Sequence, residues 1–328
     1  MISILIVNWN VRDLLRTCLL SLQAFAASSH TQHIIVVDNA SSDGTVEMLH
    51  DQFPDVHCIA NTSNRGFTGG NNDGLAWIEK NLRSAADVSN PQSSILNPQS
   101  DYILLLNPDT EVTAGALDAL LTYADANPDV GVVGPQLRYP NGSIQSSRRR
   151  FPTLFTAMIE STWLQALLPS RWLDGFYVRD RADDQTSVVD WVMGAAMLIR
   201  HSAYAKVGDL DEHNFFMYSE ELDWCRRIVQ VGWRVVYHPA AVIIHHEGQS
   251  SQQVSARRMR YFNHSKVRYF AKHHGALQAI LLRGTLQAQF LWQMGLEAAK
   301  WLLGHGRPLR AERLRAYWAV ICGMGKRE

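Results

Sequence analysis

Cysteine is scarce: Cys18, Cys58, Cys225 and Cys322 are scattered over 328 residues, with no Cys-x-x-Cys and no paired spacing. That counts against a thiolate zinc site and a disulfide scaffold, and a reducing cytosol is the expected setting. Long apolar runs are missing as well. Between Arg283 and Glu297 stand only 13 uncharged residues, Gln287, Gln289 and Gln293 among them, too short and too polar a stretch to span a bilayer. The opening Met1-Ile2-Ser3-Ile4-Leu5-Ile6-Val7 has no basic leader and reads as a buried strand, not a signal peptide. A Gly-Lys-Ser/Thr phosphate loop and a dinucleotide glycine fingerprint are both lacking, which weighs against ATPases and dehydrogenases. The net charge is zero, but it is unevenly placed. From Gln253 onward 14 Lys+Arg face 3 Asp+Glu, whereas the preceding body holds 17 against 28. A basic tail on an acidic body suits an anionic partner such as a membrane surface. No nucleic-acid motif accompanies it, so nucleic acid is not an expected partner.

With 46% hydrophobic and 19% charged residues, the chain belongs among globular proteins. Short apolar runs at Ile2–Val7, His33–Val37, Val56–Ala60, Tyr102–Leu106 and Val130–Val133 alternate with helical patterns at Arg12–Phe25, Thr45–Gln52, Gly70–Asn81 and Ala114–Ala126. Such alternation predicts an α/β fold, a mostly parallel sheet covered on both faces, with ligands at the carboxyl ends of its strands. Residues 84–100, where Asn-Pro-Gln-Ser occurs twice, read as an inserted flexible loop. A second irregular stretch, Tyr139–Ser187, carries Arg148-Arg149-Arg150 and precedes a strand-like run, Val188–Val192. A helix at Glu220–Gln230 and strands at Arg234–Tyr237 and Val242–Ile244 follow. The expected organisation is one domain over residues 1–270 and a basic helical extension over 271–328. In that extension Leu286, Phe290, Leu291, Trp292 and Met294, followed by Arg307, Arg310, Arg313 and Arg315, suit either a helix in the lipid headgroup plane or a core-packing helix pair.

Polar residues cluster after the strands. Asn8-Trp9-Asn10 closes the first, and Asp38 closes the second ahead of Ser41-Ser42-Asp43-Gly44-Thr45. A carboxylate ending a buried strand is costly unless something pairs with it, whereas Asp43 and Thr45 suit a helix cap. Asn64-Arg65-Gly66-Phe67-Thr68-Gly69-Gly70-Asn71-Asn72 opens a helix, where glycines let backbone N–H groups approach a ligand. The fourth strand runs into Asn107-Pro108-Asp109. A carboxylate there suits a hard cation such as Mg²⁺ or Mn²⁺, which prefers oxygen ligands, and a simple turn would use the same residues. Glu220-Glu221 opens a helix with Asp223 close behind, and successive helical side chains diverge, so one of the pair can face a cleft as a general base. His245 ends a late strand and suits either a metal site or a structural role.

Taken together, Ile6-Val7-Asn8-Trp9-Asn10, Val37-Asp38-Asn39-Ala40-Ser41-Ser42-Asp43-Gly44, Asn64-Arg65-Gly66-Phe67 with Gly70-Asn71-Asn72, and Leu106-Asn107-Pro108-Asp109 form an ordered set. It continues through Trp191-Val192-Met193-Gly194-Ala195-Ala196, Phe215-Phe216-Met217-Tyr218, Glu220-Glu221-Leu222-Asp223 and His245. In order and spacing it resembles the inverting family 2 glycosyltransferases of the GT-A fold, especially rhamnosyltransferase-like members of bacterial cell-surface polysaccharide synthesis. The resemblance covers about residues 1–270 and implies a sugar-transferring enzyme. By this likeness Trp9, Asp38 and Asn72 contact the nucleotide of a nucleoside-diphosphate sugar. Asp109 binds the divalent metal on its diphosphate, His245 completes that site, and Gly194 and Ala195 wall the donor sugar on the acceptor side. Glu221 takes the base position, where relatives usually have Asp, leaving Glu220 and Asp223 as alternatives. Asn107 stands where many relatives have an acid.

The implied donor is a deoxythymidine-diphosphate rhamnose or a uridine-diphosphate sugar. The implied acceptor is a saccharide, free or on a polyprenyl diphosphate, reached from the cytoplasm with peripheral contact to the inner membrane face through residues 276–328. A sugar-nucleotide pyrophosphorylase and a non-catalytic nucleotide- or glycan-binding relative are the alternatives. The first needs a basic glycine-rich loop where Asn8-Trp9-Asn10 stands, and the second is kept open by Asn107 and Glu221.

Overall fold

The computed structural model describes residues 1–28, 30–83, 102–247 and 255–323; the loop expected over 84–100 falls outside them. Each uninterrupted apolar run becomes a strand of one sheet. β1 (Ile2–Asn8) pairs in parallel with β2 (Gln32–Asp38) and with β4 (Tyr102–Leu106), and β2 pairs in parallel with β3 (His57–Ala60). Side chains alternate across this sheet. Ile4, Ile6 and Leu104 join Leu15 and Leu19 of α1 (Arg12–Ala24) in one core, while Leu5, Val7 and Leu105 join Leu75 and Trp224 in a second core on the opposite face. Register then sets the polar edge: Asn8 is the partner of Asp38, and Ile6 of Leu106, so the turns after β1, β2 and β4 emerge together.

The rest of the sheet is mixed. Its strand order is β3-β2-β1-β4, followed by Ala196–Arg200, Val130–Arg138, Arg234–His245 and Thr110–Val112. β11 (Ala196–Arg200) runs antiparallel between β4 and β6 (Val130–Arg138), β12 (Arg234–His245) lies parallel to β6, and β5 (Thr110–Val112) is antiparallel to β12. The β5 pairing sets His245 against Thr110. Short strands β7 (Ile144–Gln145) and β9 (Ser187–Val189) flank β6 and β12, and β8 (Arg148–Arg149) pairs with β10 (Trp191–Val192). The run Val188–Val192 is thus broken at Asp190. The two runs Arg234–Tyr237 and Val242–Ile244 are one strand, with a register shift between His238 and Val242. Pro239 lies inside that shift, and proline in a sheet is confined to bulges and edges.

α2 (Thr45–Gln52), α3 (Gly66–Ile78), α4 (Ala116–Ala126), α5 (Leu154–Ile159), α6 (Arg171–Asp174), α7 (His201–Val207), α8 (Glu220–Gln230), α9 (Ser255–His274), α10 (Ala276–Leu302) and α11 (Arg307–Gly323) complete the main helices. The chain divides into two compact units. The first, Met1–Phe151, Tyr177–Glu212 and Glu220–Ser250, holds the sheet. The second, Pro152–Phe176, His213–Ser219 and Ser251–Glu328, holds α5, α6 and α9–α11. In this second unit the α10 residues Leu282 and Leu286 are buried, Gln289 Nε2 donates to the Met158 carbonyl at 3.0 Å, and Arg310 pairs with Glu297 at 2.7 Å. Leu277, Ile280, Leu291, Trp292 and Leu302 stay exposed on the same helix. No helix among the described residues is long and apolar enough to cross a membrane.

Candidate active site

The turn after β4 is held from both sides. Asn107 N–H donates to the Ala195 carbonyl at 2.9 Å, and Thr110 Oγ1 donates to the Asn107 carbonyl at 2.8 Å. His246 N–H donates to the Asp109 carbonyl at 2.9 Å. These bonds leave the Asp109 carboxylate, 4% exposed, beside His245 with Nε2 3.4 Å from Oδ1. A charge-assisted N–H···O bond is about 2.7–2.9 Å long, so no strong hydrogen bond joins them. Two buried donors of the kind that ligate a divalent cation thus face each other at close range, which fits such an ion. Among the described residues no group of three or more His, Cys, Asp or Glu could hold a metal, so the remaining ligands would have to come from substrate phosphate and water. Next to this pair, His246 Nε2 lies 2.6 Å from Glu111 Oε1.

The loops after β1 and β2 are knitted to one another. Asn8 Nδ2 donates to Asp38 Oδ1 (3.1 Å), Ser41 Oγ (3.2 Å) and Thr45 Oγ1 (3.2 Å), and Ser41 N–H donates to Asp38 Oδ2 (2.9 Å). Asp38, 1% exposed, is thus partnered within the protein, and each carboxylate oxygen keeps further acceptor capacity. Asp43 accepts from Thr45 Oγ1 at 2.6 Å and from Arg12 N–H at 2.9 Å, while Gly44 holds the cap position of α2 with no side-chain cap bond. Asn10 (φ 53°) and Ala40 (φ 60°) adopt the left-handed region here, and Glu247 (φ 27°) does so beyond β12. Backbone strain of this kind collects at functional edges. Trp9 is half-buried at the mouth of these loops.

Two elements of the α3 motif have partners within the fold. The α3 glycines serve packing: a Cβ on Gly70 would lie 2.7 Å from Val7 Cγ1, and one on Gly74 would lie 2.1 Å from Leu5 Cδ1. Spaced four apart on one helix face, they let α3 approach β1 where larger residues would collide. Asn72, on the same helix, bonds the Leu210 backbone twice, through Nδ2 to the carbonyl (2.9 Å) and from the N–H to Oδ1 (3.0 Å). Elsewhere, the Arg148 guanidinium donates to the Arg181 and Ala182 carbonyls and to Asp183 Oδ1.

The glutamate pair at the start of α8 is built differently. Glu220 is 4% exposed and its Oε2 has no hydrogen-bond partner. Burial, then the neighbouring Glu221 charge, then Asp223, raise its pKa well above the ordinary 4.5. Glu221 is half-buried, and its Oε2 is also without a partner. Burial raises its pKa too, opposed by N–H groups of Glu221, Leu222 and Gly194 that stabilise the charged form. Glu220 is thus pushed toward its neutral form by burial and by two neighbouring carboxylates, whereas Glu221 has N–H groups that favour its charged form. Asp223, fully buried, is tied to Arg227 Nε at 2.9 Å. Gly194 abuts Glu221 and Phe67; a Cβ there would lie 3.5 Å from Glu221 Cβ and 3.6 Å from Phe67 Cζ. Since Ala195 bonds Asn107, the Gly194–Ala195 segment physically joins the Glu221 carboxylate to the Asp109 turn.

The family described as "Glycosyltransferase like family 2" matches residues 1–263. The chain belongs to glycosyltransferase family 2. This transferase is 29% identical over 261 residues to the N-acetylglucosaminyl-diphospho-decaprenol L-rhamnosyltransferase of Mycobacterium tuberculosis, covering 80% of this chain and 81% of that one. It is 27% identical over 273 residues to rhamnosyltransferase WbbL of Escherichia coli K12, covering 83% and 93%. The fold agrees with two solved structures. A mannosyltransferase of Pyrobaculum calidifontis in complex with GDP-Man and Mn²⁺ gives a TM-score of 0.50 at 14% identity, over 98% of this chain and 85% of that one. GalNAc-T7 with UDP, GalNAc and Mn²⁺ gives 0.51 at 15% identity, over 75% of this chain and 43% of that one. The protein is a rhamnosyltransferase-like glycosyltransferase with a GT-A type α/β fold and C-terminal helices. Within its site, Gln145 has no signal in the sequence, since it meets His245 across 100 positions, and Glu247, two residues beyond His245, is linked to it through Gln145.

Proposed function

We propose that this glycosyltransferase moves rhamnose from a nucleoside-diphosphate sugar to a hydroxyl of a polyprenyl-diphosphate-linked saccharide, with inversion at the anomeric carbon. The observation that carries the reading is the half-buried Glu221 side chain, one carboxylate oxygen buried and unpartnered, linked through Gly194–Ala195 to the turn bearing Asp109. A sugar hydroxyl is a poor nucleophile, so a carboxylate whose pKa is raised by burial is a suitable general base. Glu221 takes the hydroxyl proton as the oxygen attacks the face opposite the leaving diphosphate, and one in-line displacement inverts the centre. Glu220 keeps its proton and so spares Glu221 a second adjacent negative charge. Asp223 is committed to Arg227 and serves the fold.

Asp109 and His245 would hold a Mg²⁺ or Mn²⁺ ion, which when bound offsets negative charge on the departing diphosphate. Trp9 and the Asp38 loop are assigned to the nucleotide, Asn72 to bracing the loop at Leu210 beside it, and Gly194 and Ala195 to the donor-sugar wall. The rhamnose assignment rests on both rhamnosyltransferase relatives and the lipid-linked acceptor on the mycobacterial one alone. For the second unit, exposed Leu291 and Trp292 on α10 together with the basic residues of 276–328 support peripheral contact with an anionic membrane face from the cytoplasm. The test is release of nucleoside diphosphate from a panel of donors, with and without Mn²⁺. Turnover of one donor that is lost in both Asp109→Ala and Glu221→Gln supports the transferase. Full turnover in either variant overturns its assigned role.

A further inference from the structure

A chain of side chains runs behind His245, away from Asp109. His245 Nδ1 lies 2.8 Å from Gln145 Oε1, and Gln145 Nε2 donates to Glu247 Oε2 at 2.8 Å. The same Glu247 oxygen accepts from the Tyr139 hydroxyl at 2.9 Å. Gln145 and His245 are each 4% exposed, so neither can exchange these partners for bulk water. The orientation of the amide is forced. Facing a carboxylate oxygen, only its NH₂ end can be useful, so its oxygen must face the imidazole. An oxygen there requires the proton on Nδ1. A neutral histidine with its proton on Nδ1 presents a bare Nε2, and that nitrogen is the one 3.4 Å from Asp109 Oδ1.

We infer that Gln145 is a positioning residue, oriented by Glu247 and Tyr139, that fixes His245 with its unprotonated Nε2 turned toward Asp109. Left to itself the pair would attract a proton to Nε2 and close into a hydrogen bond. The amide prevents this by claiming the proton on the other side, so the two lone-pair donors stay open for a cation. Outer partners of this sort orient a metal-binding imidazole and set its tautomer. The left-handed backbone at Glu247 (φ 27°) is the local cost of turning its carboxylate back over the β6–β7 hairpin, where Gln145 pairs with Leu137. The cation part of the inference rests on the metal reading proposed above, whereas the tautomer does not.

The experiment uses the full chain labelled with ¹⁵N-histidine, free of metal, and reads the His245 ring nitrogens, assigned by their loss in His245→Gln. The expected spectrum shows a protonated Nδ1 and a bare Nε2. In Gln145→Leu and, separately, in half-buried Glu247→Gln, where the new amide lets Gln145 flip, the proton distributes over both nitrogens. Binding of Mn²⁺ alone, read by electron paramagnetic resonance, weakens about 10–100-fold in both variants. A wild-type His245 protonated on Nε2, or variants that leave the ring signals unchanged, overturns the inference, and Glu247→Gln decides it should Gln145→Leu fail to fold. Wild-type protein with the expected tautomer but no Mn²⁺ affinity, either alone or with a nucleoside diphosphate present, upholds the positioning role and defeats the metal reading instead.

Discussion

The Asp109 centre and the glutamate pair of α8 are both carboxylate sites of one unit, yet they are finished in opposite ways. Around Asp109 the polar groups are assigned: His245 is held by Gln145, Gln145 by Glu247, and the turn itself by Ala195, Thr110 and His246. At Glu220 and Glu221 one oxygen each is buried without a partner. Buried polar atoms are normally satisfied, and leaving one unmade costs about 1–3 kcal/mol. A centre with fixed donors suits a point charge that must sit in one place. A centre with a free oxygen and a raised pKa suits a proton that must move.

Exchanging the properties of the two centres tests that contrast. The largest effect is expected from Glu221→Gln, which keeps shape and removes basicity. General-base removal costs about 10²–10⁴ in kcat, and KM for the donor should hold, because the lost contact acts on the acceptor hydroxyl. Steady-state kinetics on the donor that turns over separate the two parameters. A comparable loss of kcat in Asp223→Asn with Glu221→Gln active would transfer the base role to Asp223. The contrast also predicts a stability cost for Asp223→Ala, since it strands the Arg227 guanidinium beside a cavity. The cost is about 2–3 kcal/mol by urea unfolding, and exceeds that of Glu221→Gln.

A smaller effect concerns pH. Burial lifts the Glu221 pKa above 4.5, and only the ionised form accepts a proton. The kcat profile should therefore rise with pH through a midpoint above that of a free glutamate, and Glu221→Asp should keep a rising limb at reduced kcat. A profile flat down to pH 4.5 would mean that no buried carboxylate limits turnover. Smaller again is a change in the second unit: Leu291→Ser with Trp292→Ser, both more than half exposed, should lower partitioning onto anionic vesicles about tenfold and leave the melting temperature unchanged.

Legibility in the sequence followed the locality of the signal. β1, β2 and β4 are apolar runs that hold their shape in any context, and their polar terminators Asn8, Asp38 and Asp109 came with them. α8 was equally plain, from its double glutamate to Gln230. Nothing local marks Ala196–Arg200 as a strand beyond the apolar Ala196-Met197-Leu198-Ile199. Its position between β4 and β6 is what decides it, and that is a tertiary fact. β5 is three residues long and exists by virtue of β12. The glycines of α3 are visible in the sequence, but not the neighbours that need the space, Val7 beside Gly70 and Leu5 beside Gly74. Gln145 meets His245 across 100 positions, and no periodicity encodes such a meeting.

The smallest expected effect follows from the Glu220 orphan oxygen, and its sign is fixed by linkage. The folded-state pKa lies well above the ordinary 4.5, so between those two values the native protein holds a proton that the unfolded chain has lost. Stability then falls as pH rises through that window, and is level below it. Glu220→Gln carries no titrating group and escapes this loss while keeping the side chain's size. Its melting temperature relative to wild type should be level up to about pH 4.5 and climb above it. Differential scanning fluorimetry across a pH series reads this directly. A difference that is constant with pH would mean that Glu220 titrates as it does in the unfolded chain. The proton assigned to it would then belong to Glu221, and the division of labour within the pair would be reversed.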